Sequence, residues 1–234
     1  MASISPMMEK PNLLERPMTV SNRVFAIIRQ AIVQLQLKPG DPLSEADMAR
    51  QLGVSRQPVR EAFIKLAEVG LVDVRPQRGT TVVLISYREV ENARFIREAL
   101  EVAVARKAAV DATDRDIEKI NEALVAQREA NALGDLAAFL RHDESFHQAI
   151  AVAADCERAW KMLENLKAQM DRVRYLSLDA ATPVHVLIDQ HEQIAKGIAT
   201  RDPDAAEAAM KDHLREILTS LPKLAEQHAE LFSA

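Results

Sequence analysis

The chain has 234 residues, of which 48% are hydrophobic, 28% charged and 4% aromatic, with a net charge of −5. This length and apolar content allow one or two domains with a full core, and few aromatics beside many Ala and Leu argue for helices over a β-rich fold. The single cysteine, Cys156, excludes an internal disulfide and reads as a small helix residue. There is no apolar run of about 18 residues to span a bilayer and no N-terminal signal segment, so a cytoplasmic protein without membrane contact is expected.

The charge is uneven. Residues 1–85 hold 11 Lys and Arg against 8 Asp and Glu, a net +3, and the remainder hold 19 against 27, a net −8. A basic N-terminal part is what binding to a phosphate backbone requires.

Residues 1–17 contain three prolines and little periodicity, and a flexible arm is expected there. Residues 19–36 predict a helix with Val24, Ile27, Ile28, Ala31 and Leu35 inward. Lys38-Pro39-Gly40-Asp41-Pro42 breaks it. Ser44 caps a short helix over 44–52, with Asp47 against its positive end, and Gly53 suits the left-handed turn that follows. Ser55 is expected to cap the next helix through its hydroxyl, with Pro58 in the first turn. Val59, Ala62, Phe63, Leu66 and Val69 form its inner face, leaving Arg56, Gln57, Arg60 and Lys65 outside. Two helices joined by a short Gly turn, the second basic at its start, describe a helix-turn-helix. Two β runs, 71–75 and 80–85, joined by Pro76-Gln77-Arg78-Gly79, add a wing with a basic tip.

From Ser86 onward the pattern is helical throughout. Six helices are predicted, at about 87–111, 114–133, 135–153, 156–181, 183–200 and 202–231. Thr113-Asp114, Asp135, Asp155 and Asp202 supply cap chemistry, and Pro183 and Pro203 suit first turns. Pro222 is placed to kink or split the last helix. Short connections favour an antiparallel bundle. The expected fold class is mainly α: a winged helix-turn-helix of three helices plus a β-hairpin over 18–85, then a six-helix bundle over 86–231.

Within the bundle, Asp143 and His147 stand four apart in LRHDESFHQAI, on one helix face. His191 and His213 lie in two further helices. One carboxylate and three imidazoles brought together could bind a divalent transition metal, or be four solvated polar residues; spacing leaves both open. His142, His185 and His228 read as surface residues. Arg97 reads, by spacing alone, as an exposed partner of Glu101 at i,i+4. Metal-bound water beside a carboxylate can also hydrolyse esters, so a metal-dependent helical hydrolase or oxidase is the alternative for this half. No Gly-rich phosphate loop, nucleophile elbow or His-Glu-x-x-His motif accompanies it, and no enzyme is expected.

Leu43-Ser44-Glu45, Gly53-Val54-Ser55-Arg56, Pro58-Val59-Arg60-Glu61-Ala62, Leu66, Gly70-Leu71-Val72 and Arg78-Gly79 resemble, in order, the DNA-binding domain of the GntR family of bacterial transcription regulators. Gln57 departs from the Thr of many members, and Ala46 from a DNA-contacting Arg of some. The bundle resembles the FCD domain of the FadR-like branch, six helices pointing to its VanR-like subgroup. The resemblance implies a ligand-responsive regulator that acts as a repressor, bound as a homodimer to a near-palindromic operator. It implies DNA contacts at Ser55, Arg56, Gln57, Arg60, Arg78 and Gly79. It further implies a metal, zinc first with nickel or another as alternatives, on Asp143, His147, His191 and His213. A small organic acid would be held by Arg97, with Arg94, Arg174 and Tyr175 as weaker candidates.

Overall fold

The computed structural model describes residues 18–75, 77–180 and 182–233. The expected arm over 1–17 and Pro76 of the wing lie outside these residues. The chain divides into two compact units, one running to Ser86 and including the segment from His228, the other Tyr87–Gln227. Residues 228–231, assigned to the bundle by their periodicity, therefore belong to the first unit.

In the first unit, α1 (Val20–Val33) starts at Thr19, whose hydroxyl accepts the Asn22 N–H at 3.2 Å. It packs against α3 (Arg56–Glu68), and Val24, Ile28, Ile32, Val59, Phe63 and Leu66 are buried. Between them lie β1 (Pro42–Leu43) and α2 (Glu45–Leu52). Ser44 caps α2 by accepting the Asp47 N–H at 3.3 Å. Gly53 ends α2 at φ 65°, a left-handed conformation that costs glycine no Cβ clash. Ser55 occupies the N-cap position of α3 but makes no side-chain capping bond, which corrects the expected hydroxyl contact. The wing strands are β2 (Val72–Arg75) and β3 (Gly79–Val82), antiparallel, with β1 on the other side of β3. The second run is thus shorter than the 80–85 expected; Ile85 and Ser86 form β4, which pairs in parallel with β5 (Phe232–Ser233). A short 3₁₀ turn, Ala229–Leu231, leads into β5.

The second unit contains α4 (Tyr87–Asp111), α5 (Asp114–Ala132), α6 (Leu136–Ala153), α7 (Glu157–Leu166), α8 (Ala168–Ala180), α9 (Val184–Ala199), α10 (Pro203–Arg215) and α11 (Ile217–Gln227). Thr113 and Asp116 form a capping box on α5, and Asp135 and Asp202 cap α6 and α10 through the N–H groups of Ala138 and Ala205. Asp155 does not cap: it takes φ 54°, and Cys156 stands at the N-cap of α7.

Two of the six expected helices are divided. The 156–181 stretch breaks at Lys167, whose ammonium is buried against Glu144 and Asp171 beneath Trp160. The 202–231 stretch breaks at Glu216, ahead of Pro222, which sits inside α11. The six expected helices, from which the VanR-like subgroup is inferred, are eight segments among the described residues. The core gathers α4, α5, α6, α9 and α10 around Phe146, Ile150, Ile194, Ile198 and Met210. Gly197 lets α9 approach α10: a Cβ there would stand 2.6 Å from the Ala206 backbone nitrogen. That approach holds the helices carrying His191 and His213 together.

Candidate functional site

α6 presents Asp143 and His147 one turn apart, α9 presents His191, and α10 presents His213. All four are buried, and one ligand atom from each lies within 4.8 Å of all the others. His191 Nε2 is 3.2 Å from His213 Nε2 and 3.6 Å from Asp143 Oδ1; His147 Nε2 is 4.0 Å from Asp143 Oδ2. These are not solvated residues on amphipathic helices, the reading that spacing had left open.

Each imidazole is backed on its other nitrogen. His191 Nδ1 is 2.8 Å from Gln127 Oε1, His213 Nδ1 is 3.0 Å from Gln190 Oε1, and His147 Nδ1 is 2.6 Å from Glu101 Oε2. The last contact is close but poorly aligned, and His147 has neither ring nitrogen in a well-formed hydrogen bond. With hydrogen-bonded acceptors behind His191 and His213, the protons of these two rings belong on Nδ1 and the lone pairs on Nε2. Two Nε2 lone pairs facing each other at 3.2 Å repel unless a cation or proton lies between them. Burial, before any neighbouring charge, pushes His191 down to about 3 and His213 well below its ordinary value, so a proton is disfavoured at neutral pH. Asp143 Oδ1 likewise has no hydrogen-bond partner. This donor set, three imidazoles beside one ionised carboxylate, fits a divalent metal ion.

The arginines are already engaged. Arg174 pairs with Asp143 and with Glu144, the latter at 3.2 Å. Burial alone would raise the Asp143 pKa, but the Arg174 charge overrides it and holds the carboxylate well below the usual range. Arg97 pairs with Glu101 as the spacing predicts, yet the pair is buried, with side chains 4% and 6% exposed. Burial again opposes ionisation of Glu101, and the Arg97 charge outweighs it. Arg97, Arg174 and His213 line one cavity of about 40 Å³, with Met170, Thr182 and Glu216 among the other walls.

Arg94 pairs with Glu98 instead. Among the residues expected at the surface, His185 is exposed and His142 and His228 are partly so. Glu101, Gln127 and Gln190 were not picked out from sequence as parts of the site; only Glu101 carried a signal, its i,i+4 spacing from Arg97.

In the first unit, Ser55, Arg56, Gln57, Arg60, Arg78 and Gly79 are all exposed. Gln57 donates to Glu61 at 3.1 Å. Arg60 grips Glu45 through two hydrogen bonds of 3.0 Å, which lower the Glu45 pKa. Among the described residues, no helix is long and apolar enough to cross a membrane.

Comparison with known proteins agrees in both units. Residues 20–82 match the family model "Bacterial regulatory proteins, gntR family", and residues 93–216 match the FCD domain. The chain is 45% identical over 214 residues to the HTH-type transcriptional repressor RspR of Escherichia coli K12, covering 92% of this chain and 94% of that protein. A GntR regulator of Rhodococcus sp. RHA1 superposes with TM-score 0.70 at 26% identity, covering 85% of this chain and 97% of that one. E. coli McbR/YncC shares the fold, with TM-score 0.76 at 22% identity over 91% of this chain and 100% of that one. The relatives are named as transcription regulators, not as hydrolases or oxidases. The chain belongs to the GntR family: it is a transcription regulator with a winged helix-turn-helix and a C-terminal FCD domain.

Proposed function

We propose that this regulator is a metal-loaded, homodimeric repressor that leaves its operator when a small organic acid enters the bundle. The observation that carries the reading is the buried convergence of Asp143, His147, His191 and His213, with the Nε2 lone pairs of His191 and His213 turned inward. Those four residues would hold a divalent transition metal, zinc first and nickel or another as alternatives. When bound, it supplies positive charge and coordination positions open to outside oxygen ligands.

Arg97 and Arg174 add guanidinium groups to the wall beside His213, a setting suited to a carboxylate. Both are held by internal carboxylates, and the cavity is small. An entering acid therefore has to take Arg97 from Glu101 and widen the space. α4 carries Arg97 and Glu101 and begins at Tyr87, directly after β4, so a change at that pair acts on the helix that leaves the DNA-binding unit. In that unit Arg56 and Arg60 would contact the major groove, with Ser55 and Gln57 beside them, and Arg78-Gly79 the minor groove or its phosphates. Exposed Phe95 and Val110 on α4 support a second copy against this helix.

The test joins three measurements. Selection from random duplexes should yield a near-palindromic site, light scattering should give a dimer, and a panel of small carboxylates should contain one that both raises the melting temperature and releases DNA. Release tenfold needs only about 1.4 kcal/mol of differential affinity. Zinc-loaded protein that neither shifts its melting nor leaves DNA with any acid in the panel would remove the effector reading.

A further inference from the structure

The two glutamines behind the histidines are themselves fixed from the far side. Gln127 on α5 is fully buried, and its Nε2 donates to the His142 carbonyl at 3.3 Å. A main-chain carbonyl accepts and never donates. Reversing the Gln127 amide would set carbonyl against carbonyl, so Oε1 must face His191. Gln190 on α9 is held the same way: its Nε2 donates to Glu216 Oε2 at 3.1 Å, and a carboxylate also only accepts. Its Oε1 must then face His213. In each case an obligate acceptor orients an amide, and the amide carbonyl orients a ring.

We propose that Gln127 and Gln190 are positioning residues that set the tautomer and rotation of His191 and His213, presenting both Nε2 atoms as metal donors. This rests on the metal reading above. Two chains, His142 carbonyl to Gln127 to His191 and Glu216 to Gln190 to His213, reach the same 3.2 Å Nε2–Nε2 pair from different helices. Neither ring can relieve that confrontation by moving its proton from Nδ1 without losing its glutamine. The second chain also ends on Glu216, which lines the cavity beside Arg97 and Arg174. An entering acid that displaces Glu216 would loosen the hold on His213, so effector and metal would be coupled through Gln190.

The experiment compares wild type with Gln127→Met and Gln190→Met. Zinc affinity is read by competition with a chelating dye near neutral pH, and imidazole tautomers by long-range proton–nitrogen correlation spectra of metal-free, nitrogen-labelled protein. Each variant is expected to bind zinc about 10- to 100-fold more weakly. His191 in one and His213 in the other should pass from a single Nδ1–H form to a mixture. Gln190 is only half-buried, so its variant reads the role even where Gln127→Met does not fold. Wild-type binding matched within about twofold by folded variants, with unchanged tautomers, overturns the positioning role and leaves the metal reading standing. Failure of the wild type to bind zinc overturns both.

Discussion

Arg60 and Arg97 each face a glutamate, and the two pairs behave as opposites. Arg60 meets Glu45 on the surface of the DNA-binding unit, its side chain 58% exposed. Arg97 meets Glu101 inside the bundle, where both are nearly closed off from water. At the surface, water and salt screen the attraction, and the arginine can trade its carboxylate for a phosphate or a base edge at little cost. In the interior, loss of either partner leaves a desolvated charge, so Arg97 can exchange Glu101 only for another anion. The first unit holds its groups ready for a large partner that arrives from solvent. The second commits its groups to one another, and the proposed acid would have to replace one of them.

The largest expected effect breaks the interior pair. Glu101→Ala should cost about 3–5 kcal/mol in urea unfolding of the bundle. Glu45→Ala should leave the unfolding midpoint in place; equal losses would erase the contrast. Metal sharpens the comparison next. Zinc at about 100 times its dissociation constant should stabilise the wild type by about 2.7 kcal/mol and leave the double variant His191→Ala/His213→Ala unmoved. Calorimetry of both proteins decides this.

At the DNA surface, Arg60→Ala should weaken specific binding by roughly 5- to 150-fold if the guanidinium reads a guanine, with non-specific binding less affected. Equal weakening on all sequences would assign Arg60 to phosphate instead. Glu45→Gln should act in the opposite direction and tighten binding, since it frees the guanidinium. Anisotropy titrations on cognate and scrambled duplexes measure both.

The histidines give a pH test for the metal-free protein. His191 titrates near 6.5 when unfolded and is pushed down to about 3 by burial in the fold. Between those values the unfolded chain binds more protons than the native one. The contribution is fully present above about pH 6.5 and is lost as pH falls toward about 3. Urea midpoints should decline through that window, and a flat profile would show that His191 is not held neutral. The smallest effects compare two serines. Ser44→Ala loses a capping bond and should cost about 1 kcal/mol, whereas Ser55→Ala should leave stability unchanged because its hydroxyl caps nothing.

What could be read in the sequence follows the same division. The helix-turn-helix is local: Ser44, Gly53 and the spacing of Val59, Phe63 and Leu66 state its geometry within a few residues of where it is used. Asp143 and His147 are likewise legible, being one turn apart on α6. His191 and His213 could be named by residue type, but only the fold brings them to 3.2 Å. Gln127 carried no signal, because its meaning depends on a carbonyl 15 positions away and a ring 64 positions away. The break at Lys167 was hidden for a related reason. No Gly or Pro marks it, and it is a long polar side chain, buried against Glu144, that occupies the junction.

The parallel pairing of Ile85 with Phe232 and Ser86 with Ser233 has a consequence for synthesis. The strands that meet in this ladder are separated by the entire bundle. A ribosome adding roughly 5–20 residues per second delivers β5 on the order of ten to thirty seconds after β4. The winged helix can gather its own core in that interval, while Ile85 lacks its ladder partner until the bundle has been translated. Closure of the ladder is therefore a late event, and it joins, within the first unit, two strands separated in sequence by the bundle. A nick within the bundle would leave both fragments anchored there, so protease cutting need not release the DNA-binding half.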